Sequence, residues 1–104
     1  MRQYEILITE SAANDLRQIT DHVAVQLQDP VSARMLSDRL KHSMMSLATM
    51  PYRHVLVVDH RLAALGIRKL PIDGYLVFYA ISEGDETVNV LRVLHGRRDW
   101  TRLL

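Results

Sequence analysis

The sequence predicts a two-layer α+β fold in the order strand, helix, helix, strand, strand, strand. Two amphipathic helical patterns follow each other almost directly in the first half, and three strand patterns joined by short turns fill the second half. Helices joined this closely form an antiparallel hairpin, and strands joined by short turns form an antiparallel meander. We therefore expect the helical hairpin to pack on one face of a small, mainly antiparallel sheet.

The first strand and first helix occupy the beginning of the chain. Residues Tyr4 to Thr9 are mostly aromatic and aliphatic, which is typical of a strand. Thr9 or Ser11 can cap the following helix by accepting a hydrogen bond from a free backbone N–H, and this helix is expected to end near Gln28. Its apolar stripe consists of Ala12, Leu16, Ile19, Val23 and Leu27.

The second helix has its own start signal. Asp29 is suited to the N-cap, and Pro30 fits the first helical position, where its missing N–H costs nothing. Met50-Pro51 ends the helix, and residues 52–65 are expected to form a loop with some extended character. The apolar stripe of this helix consists of Ala33, Leu36, Leu40, Met44 and Leu47.

Three strands and two turns account for the rest of the fold. A short strand is predicted from Ile67 to Leu70, and a turn from Pro71 to Gly74, where Asp-Gly tolerates positive φ. The two long strands are predicted over 75–82 and 87–95, with a polar turn over 83–86 between them.

The totals fit one small domain spanning residues 1–104. A length of 104 residues suits a single core, and a hydrophobic fraction of 48% is ordinary for a globular protein. A net charge of +1 does not by itself indicate nucleic-acid binding. The absence of cysteine excludes disulfides, thiolate metal sites and a cysteine nucleophile.

No targeting, membrane or cofactor signal is evident. The N-terminus lacks the apolar segment of a signal peptide, and no apolar run is long enough to cross a bilayer, so we expect a cytoplasmic protein without membrane contact. His22, His42, His54 and His60 lie apart in the predicted fold and lack metalloprotease spacing. We expect neither a metal nor a cofactor.

The long strands are apolar on both faces, although a sheet with one solvated face alternates apolar and polar residues. The two helices cover one face only. The second face is covered either by residues 52–65 and 100–104 of the chain itself, or by a separate polypeptide that completes the fold. The second explanation predicts self-association of the isolated protein. In the strand over 75–82, simple alternation puts Tyr75, Val77, Tyr79 and Ile81 on one face and Leu76, Phe78 and Ala80 on the other. In the strand over 87–95, it puts Val88, Val90, Arg92 and Leu94 on one face and Leu91, Val93 and His95 on the other.

A compact basic segment, His95 to Trp100, follows the last strand. Its two arginines can bind phosphate in bidentate fashion, and an imidazole can donate or accept a proton near neutral pH. With Arg68 and Arg92 at alternating strand positions that can point toward the same side, this cluster suits cleavage of an RNA backbone. Such cleavage needs a base for the 2′-OH, an acid for the leaving oxygen and a cation for the phosphorane.

A structural interpretation of the same segment also fits. Arg97 and Asp99 can form a surface ion pair worth roughly 0–1 kcal/mol. His95 at a strand end can be structural, and Trp100 can seal the edge of a core. The residues alone leave both interpretations open.

The chain resembles toxins of the RelE/ParE superfamily, from bacterial type II toxin–antitoxin systems, over almost its whole length. The last stretch is the most specific piece of the resemblance. The matching segments are Ile8-Thr9-Glu10-Ser11-Ala12, Gly66-Ile67-Arg68-Lys69-Leu70, Tyr75-Leu76-Val77-Phe78-Tyr79 and Val90-Leu91-Arg92-Val93-Leu94-His95-Gly96-Arg97-Arg98-Asp99.

This resemblance implies a growth-inhibiting, plasmid-stabilising toxin that a cognate antitoxin neutralises by wrapping its C-terminal segment across the toxin. Operator DNA is then contacted only through the antitoxin. Because the sheet has a second apolar face, the expected antitoxin-binding residues are on the long strands. They are Tyr75, Val77, Tyr79, Val90 and Arg92.

The superfamily divides into two activities. RelE-like members cleave mRNA in the ribosomal A site, and in that case Arg68, His95, Arg97 and Arg98 are the expected catalytic residues. ParE-like members inhibit DNA gyrase.

Departures from the nuclease pattern favour the ParE-like branch. Leu76 follows Gly74-Tyr75 where RelE-like enzymes tend to have a basic residue, and the tail has Trp100 but no tyrosine. We therefore predict a ParE-like toxin. The alternatives are a RelE-like endonuclease and an inactive homologue that only binds an antitoxin.

Overall fold

The computed structural model describes residues 3–104 and has the predicted order of main elements. Its additional turns are π-helical at His22–Gln26 and 3₁₀-helical at Ser46–Ala48 and Pro51–Arg53. No helix among the described residues is long and apolar enough to cross a membrane. The strands are β1 (Glu5–Ile8), β2 (Arg68–Ile72), β3 (Tyr75–Ser82) and β4 (Thr87–His95), and the helices are α1 (Glu10–Asp21), α2 (Pro30–Met45) and α3 (His60–Ala64).

Both predicted caps are present. The Thr9 hydroxyl accepts a hydrogen bond from the Ala12 N–H at 3.1 Å, and Asp29 accepts one from the Ser32 N–H at the same distance. Hydrogen bonding to Ser32 holds the pKa of the Asp29 carboxyl below its usual value. Gln28 adopts a φ of 52°, and this left-handed residue reverses the chain between the two helices.

The sheet has the strand order β1-β4-β3-β2 and is mixed. The β2–β3 and β3–β4 pairs are antiparallel, whereas β1 runs parallel to β4 with Ile8 opposite Val90. The helical hairpin follows β1, and its partner β4 is the last strand of the chain. This arrangement places the end of β1 and the start of α1 beside the middle of β4.

The segments before and after β2 differ from the sequence prediction. The predicted loop contains the short helix α3, which begins where Asp59 accepts hydrogen bonds from the N–H groups of Arg61 and Leu62. Strand β2 continues to Ile72, so the turn is only Asp73-Gly74, with φ values of 52° and 83°. Pro71 is tolerated inside β2 because this strand lies at the sheet edge, where a backbone donor is dispensable.

A β-bulge corrects the predicted alternation of β4. Phe78 pairs with Arg92 but Tyr79 pairs with Val90, so Leu91 is an extra residue in the strand. The alternation therefore shifts within β4. Val88, Val90 and Val93 all join the core under the helices, while Leu91 and Leu94 join the opposite core, so the predicted grouping of Leu94 with Val88 and Val90 is wrong.

The larger core lies between the helical hairpin and the sheet. Tyr79 is buried in this core, and its hydroxyl donates a hydrogen bond to the Pro51 carbonyl at 2.6 Å. Burial raises the pKa of Tyr79 to about 12. The apolar stripes of both helices contribute to this core, together with strand residues that include Val77, Val88, Val90 and Val93.

The opposite sheet face is covered by the chain itself. Trp100 packs on Phe78 with ring centroids 5.0 Å apart. The first of the two sequence explanations is thus confirmed, and the expectation of self-association through an uncovered sheet face loses its basis. The segment 55–67 contributes Val57, Leu62 and Ile67 to this second core, and the tail contributes Trp100, Leu103 and Leu104.

Candidate functional site

The basic segment is anchored at the end of the β3–β4 hairpin. The Gly96 N–H donates to the Gly74 carbonyl at 2.8 Å, and the Arg98 N–H donates to the His95 carbonyl at 3.0 Å. A Cβ on residue 96 would lie 3.2 Å from the Gly74 oxygen, so this close approach favours glycine. The chain turns here and leaves Arg97 and Arg98 exposed.

His95 is held on two sides at the end of β4. Its ring meets Tyr75 edge-on with centroids 5.4 Å apart, and its Nδ1 accepts a hydrogen bond from the Arg97 N–H at 3.2 Å. In the neutral ring, Nε2 therefore carries the proton. His95, Arg97 and Arg98 thus share one end of the sheet and can jointly contact an anion or an acidic protein surface.

Arg68 is not part of this cluster. Arg68 pairs with Tyr79 in the sheet, whereas His95 pairs with Tyr75, four residues earlier in β3. Four residues of a strand span about 13 Å. The Arg68 guanidinium instead donates to the His54 carbonyl at 2.6 Å and lies over the Tyr52 ring at 5.1 Å, so it braces the loop beside β2.

Arg92 is committed to an internal ion pair with Asp15. Its Nε and Nη2 donate to the two carboxylate oxygens of Asp15 at 2.7 and 2.9 Å, and its Nη1 donates to the Leu103 carbonyl at 3.0 Å. The Asp15 carboxylate also accepts from the Val93 N–H at 3.0 Å. Hydrogen bonding to Asp15 raises the pKa of Arg92.

The position of Asp15 follows from the shortness of β1. Because β1 ends opposite Val90, the next part of β4 has no strand neighbour on that side, and the Asp15 carboxylate accepts the hydrogen bond that a strand carbonyl would accept. Sequence reasoning missed this residue. The sequence did carry a signal, since Asp15 lies at helical spacing between Ala12 and Ile19 on the apolar face of the predicted helix. A carboxylate on a buried helix face needs a cationic partner.

The residues predicted to bind an antitoxin are mostly interior. Val77, Tyr79 and Val90 have no exposed surface and lie under the helical hairpin, and Tyr75 is half-buried. Arg92 is held by Asp15 and Leu103. A partner could reach the three buried residues only by displacing the helices, so the isolated chain offers no surface at these positions.

An exposed apolar stripe runs along the outer face of α2. Val31, Met35 and Met45 are 69%, 53% and 56% exposed, and the exposed Asp38 and His42 lie between them. Spacings of four, three, four and three residues place all five on one side of the helix, opposite its buried stripe. Sequence reasoning missed this second stripe because it examined only the positions that form the core.

Among residues 3–104, no group of three histidine and acidic side chains is arranged to hold a metal ion. At this end of the sheet, Arg97, Arg98 and His95 are exposed. The polar groups at this terminus can bind anions or polar protein groups.

Comparison with known proteins identifies the family. The family model for the ParE toxin of the type II toxin–antitoxin system, parDE, matches residues 6–100. No curated protein matches the chain in sequence.

Solved structures share the fold. A chain of the chromosomal ParDE system from P. aeruginosa has a TM-score of 0.73 and 19% identity, covering 89% of this chain and 96% of that one. A chain of the toxin–antitoxin complex RelBE2 from Mycobacterium tuberculosis has a TM-score of 0.63 and 21% identity, with 89% and 98% covered. An arginine-to-alanine mutant of E. coli toxin RelE in the free state has a TM-score of 0.61 and 15% identity, with 91% and 85% covered.

The family match extends over nearly the whole chain, and the strand order and helical hairpin agree with the fold of these toxins. The chain therefore belongs to the ParE toxin family and is the toxin component of a type II toxin–antitoxin module.

Proposed function

We propose that this toxin inhibits DNA gyrase by protein–protein contact and is neutralised by a cognate antitoxin. The family model supports this proposal, as does the higher TM-score with the ParDE chain than with the two RelE-type chains. The contact surface proposed for gyrase is the exposed basic end of the chain, formed by Arg97, Arg98 and Arg102.

The observation that carries the gyrase proposal is the separation of Arg68 from the other three candidate nuclease groups, His95, Arg97 and Arg98. Arg68 holds the loop beside β2, and its partner in β3 lies about 13 Å along the strand from the partner of His95. Leu76 and Trp100 both pack in the second core. His95 therefore has neither an arginine of the sheet nor a tail tyrosine beside it. Cleavage of RNA needs an acid, a base and a group that stabilises the phosphorane, and His95 cannot fill all three roles.

We place the antitoxin on the outer stripe of α2. Val31, Met35 and Met45 offer apolar surface, and the exposed cations Arg34 and Lys41 flank it on one side. An acidic amphipathic helix fits this combination, because it can bury its own apolar residues on the stripe and pair its carboxylates with the flanking cations.

A substitution in the stripe tests the antitoxin surface. Met35→Glu is expected to weaken antitoxin binding at least about tenfold, because it puts a desolvated charge in the interface. Val58→Glu is the matched control, since Val58 is 80% exposed but lies in the loop beside β2. Equal affinity of the two variants, measured by isothermal titration calorimetry, would contradict this placement.

Induction of the chain alone in cells tests the target. Growth arrest with a DNA-damage response is expected, and it should disappear when the antitoxin is co-expressed. Growth arrest without DNA damage but with mRNA cuts in the ribosomal A site would contradict the gyrase proposal.

The RelE-like activity remains the second candidate because His95 stands beside Arg97 and Arg98 at an exposed chain end. Under that activity, His95→Ala should abolish the mRNA cuts. Under the gyrase proposal, His95→Ala leaves the target contact by the arginines in place, so toxicity is retained.

A further inference from the structure

A cleft of about 220 Å³ lies on the helix side of the sheet, between α1 and the ends of β3 and β4. Gln18 and His22 line it from α1, Tyr75 and His95 from the strands, and Arg98 from the tail. The cleft is separate from the proposed antitoxin stripe on α2. Neither gyrase inhibition nor antitoxin binding requires its α1 residues.

The side chains around the cleft are rich in hydrogen-bond donors. Arg98 carries a planar fork of N–H groups on an exposed guanidinium. The imidazole of His95 has its Nδ1 occupied by the Arg97 N–H, so its Nε2 is the donor of the neutral ring. Tyr75 adds a hydroxyl and Gln18 an amide, and both groups can donate to an oxyanion.

His22 is positioned by a local distortion of the helix. The regular hydrogen bonding of α1 gives way to a π-helical turn at His22–Gln26, and the His22 Nδ1 lies 3.1 Å from the Gln26 Oε1. Because an amide oxygen only accepts, Nδ1 carries the proton in this contact, and Nε2 of the neutral ring can accept a hydrogen bond from a protonated oxygen of a ligand. Single π-helical turns occur frequently at functional sites.

The carboxylates near the cleft are already occupied. Among the described residues that line it, Asp15 is the only acid, and its oxygens accept from the Arg92 guanidinium and the Val93 N–H. Asp99, beside Arg98 in the chain, accepts from the Thr101 hydroxyl at 2.7 Å. The cleft therefore combines a free cation and neutral donors, with its acid neutralised by Arg92.

We propose that this cleft binds a phosphoryl group. A phosphoryl group, whose oxygens accept hydrogen bonds and one of which can carry a proton, is the ligand that matches one arginine fork, the N–H of His95, an amide, a hydroxyl and the accepting Nε2 of His22. The volume accommodates a phosphate group together with a small part of the molecule that carries it. The ligand is either free inorganic phosphate or a phosphate monoester on a small organic molecule.

Titration of the purified full chain with inorganic phosphate, AMP and adenosine tests the site. Calorimetry is expected to give a Kd below about 10 mM for the two phosphate-bearing probes and no binding of adenosine. Tighter binding of AMP than of phosphate identifies a monoester as the ligand, and equal binding identifies the free ion. Binding of adenosine as tight as that of AMP, or a Kd above 10 mM for both phosphate probes, would overturn the proposal.

Two variants and a matched control locate the binding. Arg98→Ala and His22→Ala are each expected to weaken phosphate binding, the former about tenfold or more, because they remove a cationic donor and an acceptor from two different elements of the cleft. Arg97→Ala removes the same charge from the neighbouring residue, which does not line the cleft, and should change affinity less than about threefold. An equal loss with Arg97→Ala, or unchanged affinity with His22→Ala, would refute a site in this cleft.

Discussion

The two faces of the sheet are covered in different ways. On one face, α1 and α2 lay continuous apolar stripes over the strands, and this core contains the larger number of buried residues. On the other face, the segment 55–67 and the residues after β4 form a cover without long regular elements. The helix cover exposes the mainly apolar stripe of α2, whereas the C-terminal cover packs through Trp100 and Leu103 and presents the cations Arg97 and Arg98 to the surroundings.

This difference shows how a short toxin chain can expose basic residues on a C-terminal tail that is itself fixed to the sheet. The end of the chain is held to β4 by the Arg92 bond to the Leu103 carbonyl and to β3 by the contact of Trp100 with Phe78. Arg97 and Arg98 lie between the end of β4 and the Trp100 anchor, and Arg102 lies between the two anchors. Substitutions in the anchors should therefore affect stability, and substitutions of these arginines should affect only recognition.

Removing the apolar base of the C-terminal cover has the largest expected effect. Phe78 is fully buried and contacts Trp100, so Phe78→Ala should lower the free energy of unfolding by about 3–5 kcal/mol. Denaturant unfolding followed by circular dichroism measures this loss. A loss below about 1 kcal/mol would mean that the loop and tail do not form a packed second core.

Breaking the internal ion pair should cost slightly less. Asp15→Asn leaves the Arg92 guanidinium without its carboxylate and should lower the free energy of unfolding by about 3 kcal/mol. Asp73→Asn is the matched control, because Asp73 pairs with Arg39 on the surface, where a pair contributes roughly 0–1 kcal/mol. Similar losses in both variants would contradict a special role for Asp15.

Loss of a single hydrogen bond under the helix cover should have a smaller effect. Tyr79→Phe keeps the ring in the core but removes the hydroxyl that donates to Pro51, so the free energy of unfolding should fall by about 1 kcal/mol. Thermal or chemical unfolding of the variant provides the value. An increase in stability would show that the Pro51 carbonyl does not depend on this donor.

His54, in the loop beside β2, should make the free energy of unfolding modestly dependent on pH. Burial, followed by the charge of Arg53, holds the pKa of His54 below its usual value. The unfolded chain then binds a proton that the folded chain resists, so stability should fall as the pH drops through about 6.5. His54→Phe should flatten the stability profile between about pH 7 and 5, whereas His60→Phe, at an exposed position, should not. An unchanged profile in His54→Phe would contradict this assignment.

The exposed arginines should matter least for stability and most for toxicity. Replacing both Arg97 and Arg98 by alanine should change the free energy of unfolding by less than about 0.5 kcal/mol, because both side chains are exposed. The same double variant should relieve growth inhibition. Retained toxicity at equal expression would remove the basic end from the proposed target contact.

Sequence patterns predicted those elements that repeat a local signal. Both helices were predictable because an apolar stripe continues over several turns and because Thr9 and Asp29 cap them. Helix α3 was not, since five residues are too few to display a helical period. The bulge at Leu91 was also hidden, because apolar residues continue on both sides of it and no glycine marks the extra position.

The candidate site was only partly predictable for a related reason. The neighbouring residues His95, Arg97 and Arg98 stay together because the chain connects them, but the position of Arg68 depends on strand register, which the sequence did not specify. The pairing of Asp15 with Arg92 joins residues far apart in the chain and depends on where β1 ends. Such contacts follow from tertiary packing and have no local sequence signal.

The most direct test of the proposed target is supercoiling of relaxed plasmid DNA by purified gyrase in the presence of the purified toxin. We predict that the wild-type chain blocks supercoiling, that the variant with alanine at Arg97 and Arg98 does not, and that His95→Ala still does. Full supercoiling at saturating wild-type toxin, together with His95-dependent cutting of mRNA on ribosomes, would contradict the proposal.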